Sequence, residues 1–177
     1  MNVWPLVFIS DLVVLFASLL FMVLKWPLGI QKTFSQHAAQ SRCLSLYYFF
    51  IFIITMPIIC LFIYFWLIPQ HYATSWVFVS FLFVTLTQII CTFFPERGSA
   101  RQVFIHRLFA GMSASFLFAC VALLCLSLDN TAQVVNVVAL CVMGLVAFIA
   151  FIAKGRFALI LQTIYYLAFF IPILVLL

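Results

Sequence analysis

Tyr47–Ile68 reads YYFFIFIITMPIICLFIYFWLI, twenty-two residues without a charge and with Pro57 near the middle. Apolar and polar residues do not alternate along it, as they would on a transmembrane β-strand. A helix crossing a hydrocarbon core of about 30 Å needs roughly 20 apolar residues. The run is therefore a membrane-spanning helix, and a proline in its interior predicts a kink, because it removes a backbone hydrogen bond.

Working outward, nearly all of the chain has this character. Of 177 residues, 69% are hydrophobic and 6% are charged, and mean hydropathy is +1.37. Soluble domains carry about 25% charged residues. These values exclude a water-soluble globule and predict an all-α polytopic membrane protein, a single integral membrane domain over 1–177. Six spans follow, at about 4–24, 44–68, 76–94, 103–128, 132–153 and 157–177. The opening MNVWPLVFIS has neither a basic flank nor a small-residue cleavage site, so it reads as a retained first span rather than a signal peptide.

The bases set the sidedness. Lys25, Lys32 and Arg42 follow span 1, Arg97, Arg101 and Arg107 follow span 3, and Lys154 and Arg156 follow span 5. All eight fall on one side. The excess of Lys and Arg in short cytoplasmic loops predicts three basic connections inside a cytoplasmic (inner) membrane and both termini outside.

Between spans 3 and 4 the stretch CTFFPERGSARQVFIHR, Cys91–Arg107, gathers acid, base, imidazole, Pro and Gly. With the first loop it places Ser35, His37, Arg42, Glu96, Arg97, Arg101, His106, Arg107 and Arg156 on one face of the membrane. Bases between spans hold anionic lipid head groups, and Arg offers a bidentate fork. The bland alternative is that these bases only set topology. His106 beside Glu96 allows an acid/base pair, yet no nucleophile motif accompanies it, and no catalytic residue is assigned. Arg107 precedes Gly111 by one helical turn, and Gly111, Ser115 and Ala119 form a row of small residues against which another helix can approach closely.

A second polar set lies within the spans. Asp11 is about 10 Å into span 1 at ~1.5 Å per residue, and an intramembrane carboxylate is costly enough to suggest function. Ser80, Asn136 and His71 are its expected neighbours at that depth; a protonated Asp11 that simply donates a hydrogen bond is the plainer reading. In span 3, Ser80, Thr87, Gln88, Cys91 and Thr92 share a helical face, which must look into the bundle because lipid cannot satisfy a Gln side chain. Asp11, Ser80, Gln88, Asn136 and Gln162 thus make an inward polar seam.

Six cysteines, Cys43, Cys60, Cys91, Cys120, Cys125 and Cys141, form no CxxC pair and read as small packing residues. No metal-ligand spacing, P-loop, dinucleotide glycine pattern or HExxH occurs, so neither metal nor cofactor is expected. The bases sit at a membrane surface, which excludes nucleic acid as a partner. Membrane lipids, preferentially anionic, are the expected partners, and the small-residue rows also suit a homo-oligomer or a subunit of a larger assembly.

The order of FSQHAAQSR in the first loop, FPE after span 3, His106 at the start of span 4 and KGRF before span 6 resembles a bacterial and archaeal six-span family, domain of unknown function 998. The matching positions are Ser35, Phe94, Pro95, His106 and Arg156, with Glu96 standing where that family has an Asp slightly later. The family is distantly similar to eukaryotic six-span proteins associated with lipid remodelling of glycolipid anchors and with autophagy modulation, which implies lipid handling. Three functions stay open: binding of a lipid or other anionic amphiphile at the basic side, proton- or ion-coupled transport through Asp11, and lipid modification with His106 as base.

Overall fold

The computed structural model describes residues 3–71, 73–94, 96–128, 130–153 and 156–177; for Asn130 it describes the backbone alone. Pro95, Lys154 and Gly155, singled out above, lie outside the described residues. The described chain is helical and contains no strand. Helix α1 spans Trp4–Lys25, α2 Phe34–Ala38, α3 Arg42–Phe62, α4 Ile68–His71, α5 Ser75–Phe93, α6 Ala100–Ser127, α7 Asn130–Ala153 and α8 Ala158–Val175. A π-helical turn, Ile63–Leu67, joins α3 to α4, so Arg42–His71 is one crossing. Six helices are long and apolar enough to span a membrane. The protein is an integral, multi-pass helical membrane protein.

The helix ends depart from the hydropathy boundaries because capping, not hydropathy, sets them. Ser99 accepts from the Gln102 backbone N–H while the Gln102 side chain accepts from Ser99 N–H, and this capping box starts α6 at Ala100. Thr33 and Gln36 make the same reciprocal pair and fold α2 out of what reads as a plain polar loop. Pro57 sits inside α3 without ending it. The shift of hydrogen-bond register comes six residues later, at the π turn.

Helices pack in sequence, α1 on α3, α3 on α5, α5 on α6, α6 on α7 and α7 on α8. Rings close the circle. Phe8 of α1 stacks on Phe62, with centroids 4.2 Å apart, and also meets Phe170 of α8. Phe81 of α5 stacks on Phe169. Burial from water does not drive helices together inside lipid, so dispersion between interlocking rings and interhelical hydrogen bonds must. The α5–α6 pair has the polar links: Ser80 Oγ donates to Phe116 O at 2.9 Å, Ser113 Oγ to Gln88 Oε1 at 3.1 Å and Cys120 Sγ to Val77 O at 3.5 Å.

Outward faces carry Val13, Leu20, Phe104, Leu126 and Phe151, all exposed as lipid-facing side chains should be. Gly111 and Ser115 lie on such a face, and a Cβ at Gly111 would meet nothing. The small-residue row thus looks out of this chain at that point, away from its own helices.

Candidate functional site

Glu96, in the bend after α5, is the hub of the basic end, and its side chain is only 8% exposed. It accepts from Ser35 Oγ at 3.2 Å, Gln36 Nε2 at 3.2 Å and Arg107 Nε at 3.0 Å. One carboxylate therefore ties the first loop to the start of α6. Thr33 Oγ1 lies 2.9 Å from Ser35 Oγ. Ser35 spends its hydrogen on Glu96, so the order that satisfies every atom runs from Thr33 through Ser35 to Glu96.

His106, buried on the second turn of α6, lies against the same group. Its Nδ1 is 2.7 Å from Phe94 O and 2.9 Å from Cys91 O. Carbonyl oxygens only accept, so Nδ1 carries the hydrogen and the orientation of the ring is fixed. Nε2 lies 4.0 Å from Glu96 Oε2 and 3.6 Å from Cys91 Sγ. In the neutral ring Nε2 is an acceptor, and the Cys91 thiol is a donor within its reach. Ser35 donates to Glu96 Oε2, while His106 Nε2 only stands near the same oxygen. This is not the nucleophile–imidazole–acid order of a hydrolytic triad, because the acid sits in the middle.

Above the hub, between α6, α7 and α8, lies a cavity of about 420 Å³. Thr33, Ser35, Tyr48, Gln88, Cys91, His106, Ser113, Gln162, Tyr165 and Tyr166 supply its polar wall; Ala110, Ala114, Leu117, Val146, Ala147, Ala150, Ala158 and Leu161 supply the apolar one. The cavity exists because α6 and α8 barely touch and are held apart at a fixed point, where Tyr165 Oη donates to Ala114 O at 2.6 Å. Gln162 closes the end: its Oε1 accepts from Phe34 N–H at 3.0 Å, satisfying an orphan donor of α2, and its Nε2 reaches Tyr166 Oη at 3.4 Å. Ala147 and Ala150 are exposed on α7, so the cavity opens sideways toward lipid.

The remaining expected site residues are placed elsewhere. His37 is fully buried and both its nitrogens are used, Nδ1 donating to Thr33 O and Nε2 accepting from Leu28 N–H. It braces the first loop. Arg97 donates to Ala39 O at 3.5 Å, and Arg42, Arg101 and Arg156 are exposed. None of the five arginines lines the cavity. Thr33 and Gln36 were legible only through their capping spacing, and Tyr48 and Ser113 by no signal at all.

In the seam, Asp11, Ser80, Gln88 and Asn136 are buried, while Gln162 is half-buried and turned to the cavity. The seam is not one network. Ser80 and Gln88 serve α6, Asn136 Nδ2 donates to Ala132 O within its own helix, and Asp11 Oδ2, Asn136 Oδ1 and His71 Nε2 have no hydrogen-bond partner among the described residues. No family model, curated protein or solved structure matches this chain.

Proposed function

We propose that the protein binds a membrane amphiphile in the cavity between α6, α7 and α8. The observation that carries this reading is the polarity of the walls. Hydroxyl, imidazole and amide groups run along one side, from Thr33, Ser35 and His106 near Glu96 inward to Gln88, Ser113 and Tyr166, and Ala, Val and Leu side chains of α6, α7 and α8 form the other. Apolar pockets with a few convergent polar groups are the usual form of small-molecule sites, and a side opening between helices admits a molecule directly from the bilayer.

The test is lipid retention. Wild-type protein, extracted in mild detergent and analysed by native mass spectrometry, should carry a bound amphiphile in defined ratio. Ala147→Trp, which fills the cavity from an exposed position on α7, should lose it. Identical, bulk-like lipid profiles in both proteins would remove this reading.

A transport role is the second reading, supported by the buried, unpartnered Oδ2 of Asp11. It requires that proton- or ion-driven flux in proteoliposomes disappear in Asp11→Asn and persist in Ala147→Trp.

A further inference from the structure

We infer that the amphiphile taken by this cavity has an uncharged, hydroxyl-bearing head, the class of diacylglycerols and long-chain alcohols, and not a phosphate or carboxylate. The inference rests on the amphiphile-binding reading above and concerns the head group alone.

Charge comes first. Among the described residues, the cavity wall holds no Lys, Arg, Asp or Glu. Arg107 of α6, outside the lining, donates to Glu96 at 3.0 Å, and its side chain is 66% exposed. Carboxylate and guanidinium cancel, and their mutual bond satisfies the facing atoms. Among the described residues, an anionic head entering the cavity would meet no free cation in the wall, and burial of an unpaired charge is strongly unfavourable.

Hydrogen-bond polarity comes second. Tyr165 spends its hydrogen on the Ala114 carbonyl, and Ser35 spends its hydrogen on Glu96. His106 holds its Nδ1 hydrogen on Phe94 O and turns Nε2 toward Cys91 Sγ and Glu96. A carboxylate or ionised phosphate is chiefly an acceptor, so it would leave these oxygen lone pairs unmet even where a Tyr or amide hydrogen reached it. A hydroxyl head donates to them and accepts in return from a Tyr or amide hydrogen. Acceptors left unpaired by the wrong head are a stronger discriminator than apolar shape.

The experiment uses a tail-matched pair, 1,2-dioctanoylglycerol and 1,2-dioctanoyl phosphatidic acid. Each is titrated onto the full chain in phosphatidylcholine nanodiscs and read by native mass spectrometry. Phosphatidylcholine avoids sugar-headed detergents, which are themselves hydroxylated amphiphiles. Dioctanoylglycerol should bind at least about ten-fold tighter than the phosphatidic acid, a difference an uncompensated buried charge readily exceeds. Ala147→Trp should abolish binding of both. Ala150→Lys, which places a cation at the exposed rim of the cavity, should move the preference toward phosphatidic acid.

Equal or tighter binding of phosphatidic acid to wild type, still lost in Ala147→Trp, overturns the head-group inference and leaves the amphiphile site standing. Binding of neither probe, or binding untouched by Ala147→Trp, removes the site and the inference with it. Both substituted alanines are exposed, so neither variant disturbs the packed core, and matching thermal melts verify that.

Discussion

His106 Nε2 and Glu96 Oε2 lie 4.0 Å apart, and the distance is held by what each group does with its other atoms. The imidazole is pinned by two carbonyls of the α5 end, and the carboxylate by donors from the first loop and α6. The pair therefore ties the first loop, about 60 residues away, to the junction of α5 and α6. Its disruption should be felt by the whole basic end of the bundle.

Glu96 and Arg107 are bonded to each other, yet their removal should not cost the same. Glu96→Ala deprives Ser35 and Gln36 of their acceptor in a buried place, a loss of about 1–3 kcal/mol. Arg107→Ala removes a guanidinium whose side chain is 66% exposed, where solvent screening leaves such pairs at roughly 0–1 kcal/mol. Thermal melts in one detergent should rank Glu96→Ala well below Arg107→Ala, which stays close to wild type. The reverse order would mean that Arg107, and not the loop donors, holds the carboxylate.

Gly98 has φ +99°, a conformation L side chains rarely adopt. A Cβ there would also collide with the Gln102 carboxamide that completes the α6 cap. Gly98→Ala should cost about 1–2 kcal/mol and expose the first turn of α6 to faster amide hydrogen exchange than in wild type. Unchanged exchange over residues 99–103 would show that the capping box does not need this turn.

Asp11 is 6% exposed and its Oδ2 has no partner. A buried polar atom without a hydrogen bond costs about 1–3 kcal/mol, and an apolar replacement of similar size recovers it. Asp11→Leu should therefore raise the melting midpoint in detergent. A lower midpoint would reveal a stabilising contact for the carboxyl, such as a bound water.

Cys43 is exposed at the start of α3, next to Arg42 in the first basic connection. The positive-inside bias gives a labelling pattern. On intact cells a membrane-impermeant maleimide should leave Cys43 unmodified, and permeabilisation should let it react; a tag after Leu177 should be accessible from outside. Labelling of Cys43 from outside would invert the topology. Six crossings, however, keep both termini on one side in either case.

What the sequence by itself determined is what the bilayer imposes. Lipid offers no hydrogen bonds to a backbone, so every long apolar run has to be a helix, and Tyr47–Ile68 alone carries that argument. The same penalty turns Gln88 and the hydroxyls beside it inward, because each polar side chain must find an acceptor such as a neighbouring carbonyl. Thr33-x-x-Gln36 and Ser99-x-x-Gln102 carry the spacing of local caps, which need no distant partner, yet these stretches read as loops until the structure paired them. Only the tertiary structure decided which polar groups meet. Glu96 selects Ser35, Gln36 and Arg107 from segments up to 61 residues away, and none of the five arginines lines the cavity, although the basic loops read as one face in sequence. Asp11, read as one end of a seam, remains apart from Ser80 and Asn136 because those side chains find carbonyls on a neighbouring helix and on their own. The cavity itself comes from a spacing between α6 and α8 fixed by Tyr165 on Ala114, and distance between non-adjacent helices has no signature in composition or periodicity.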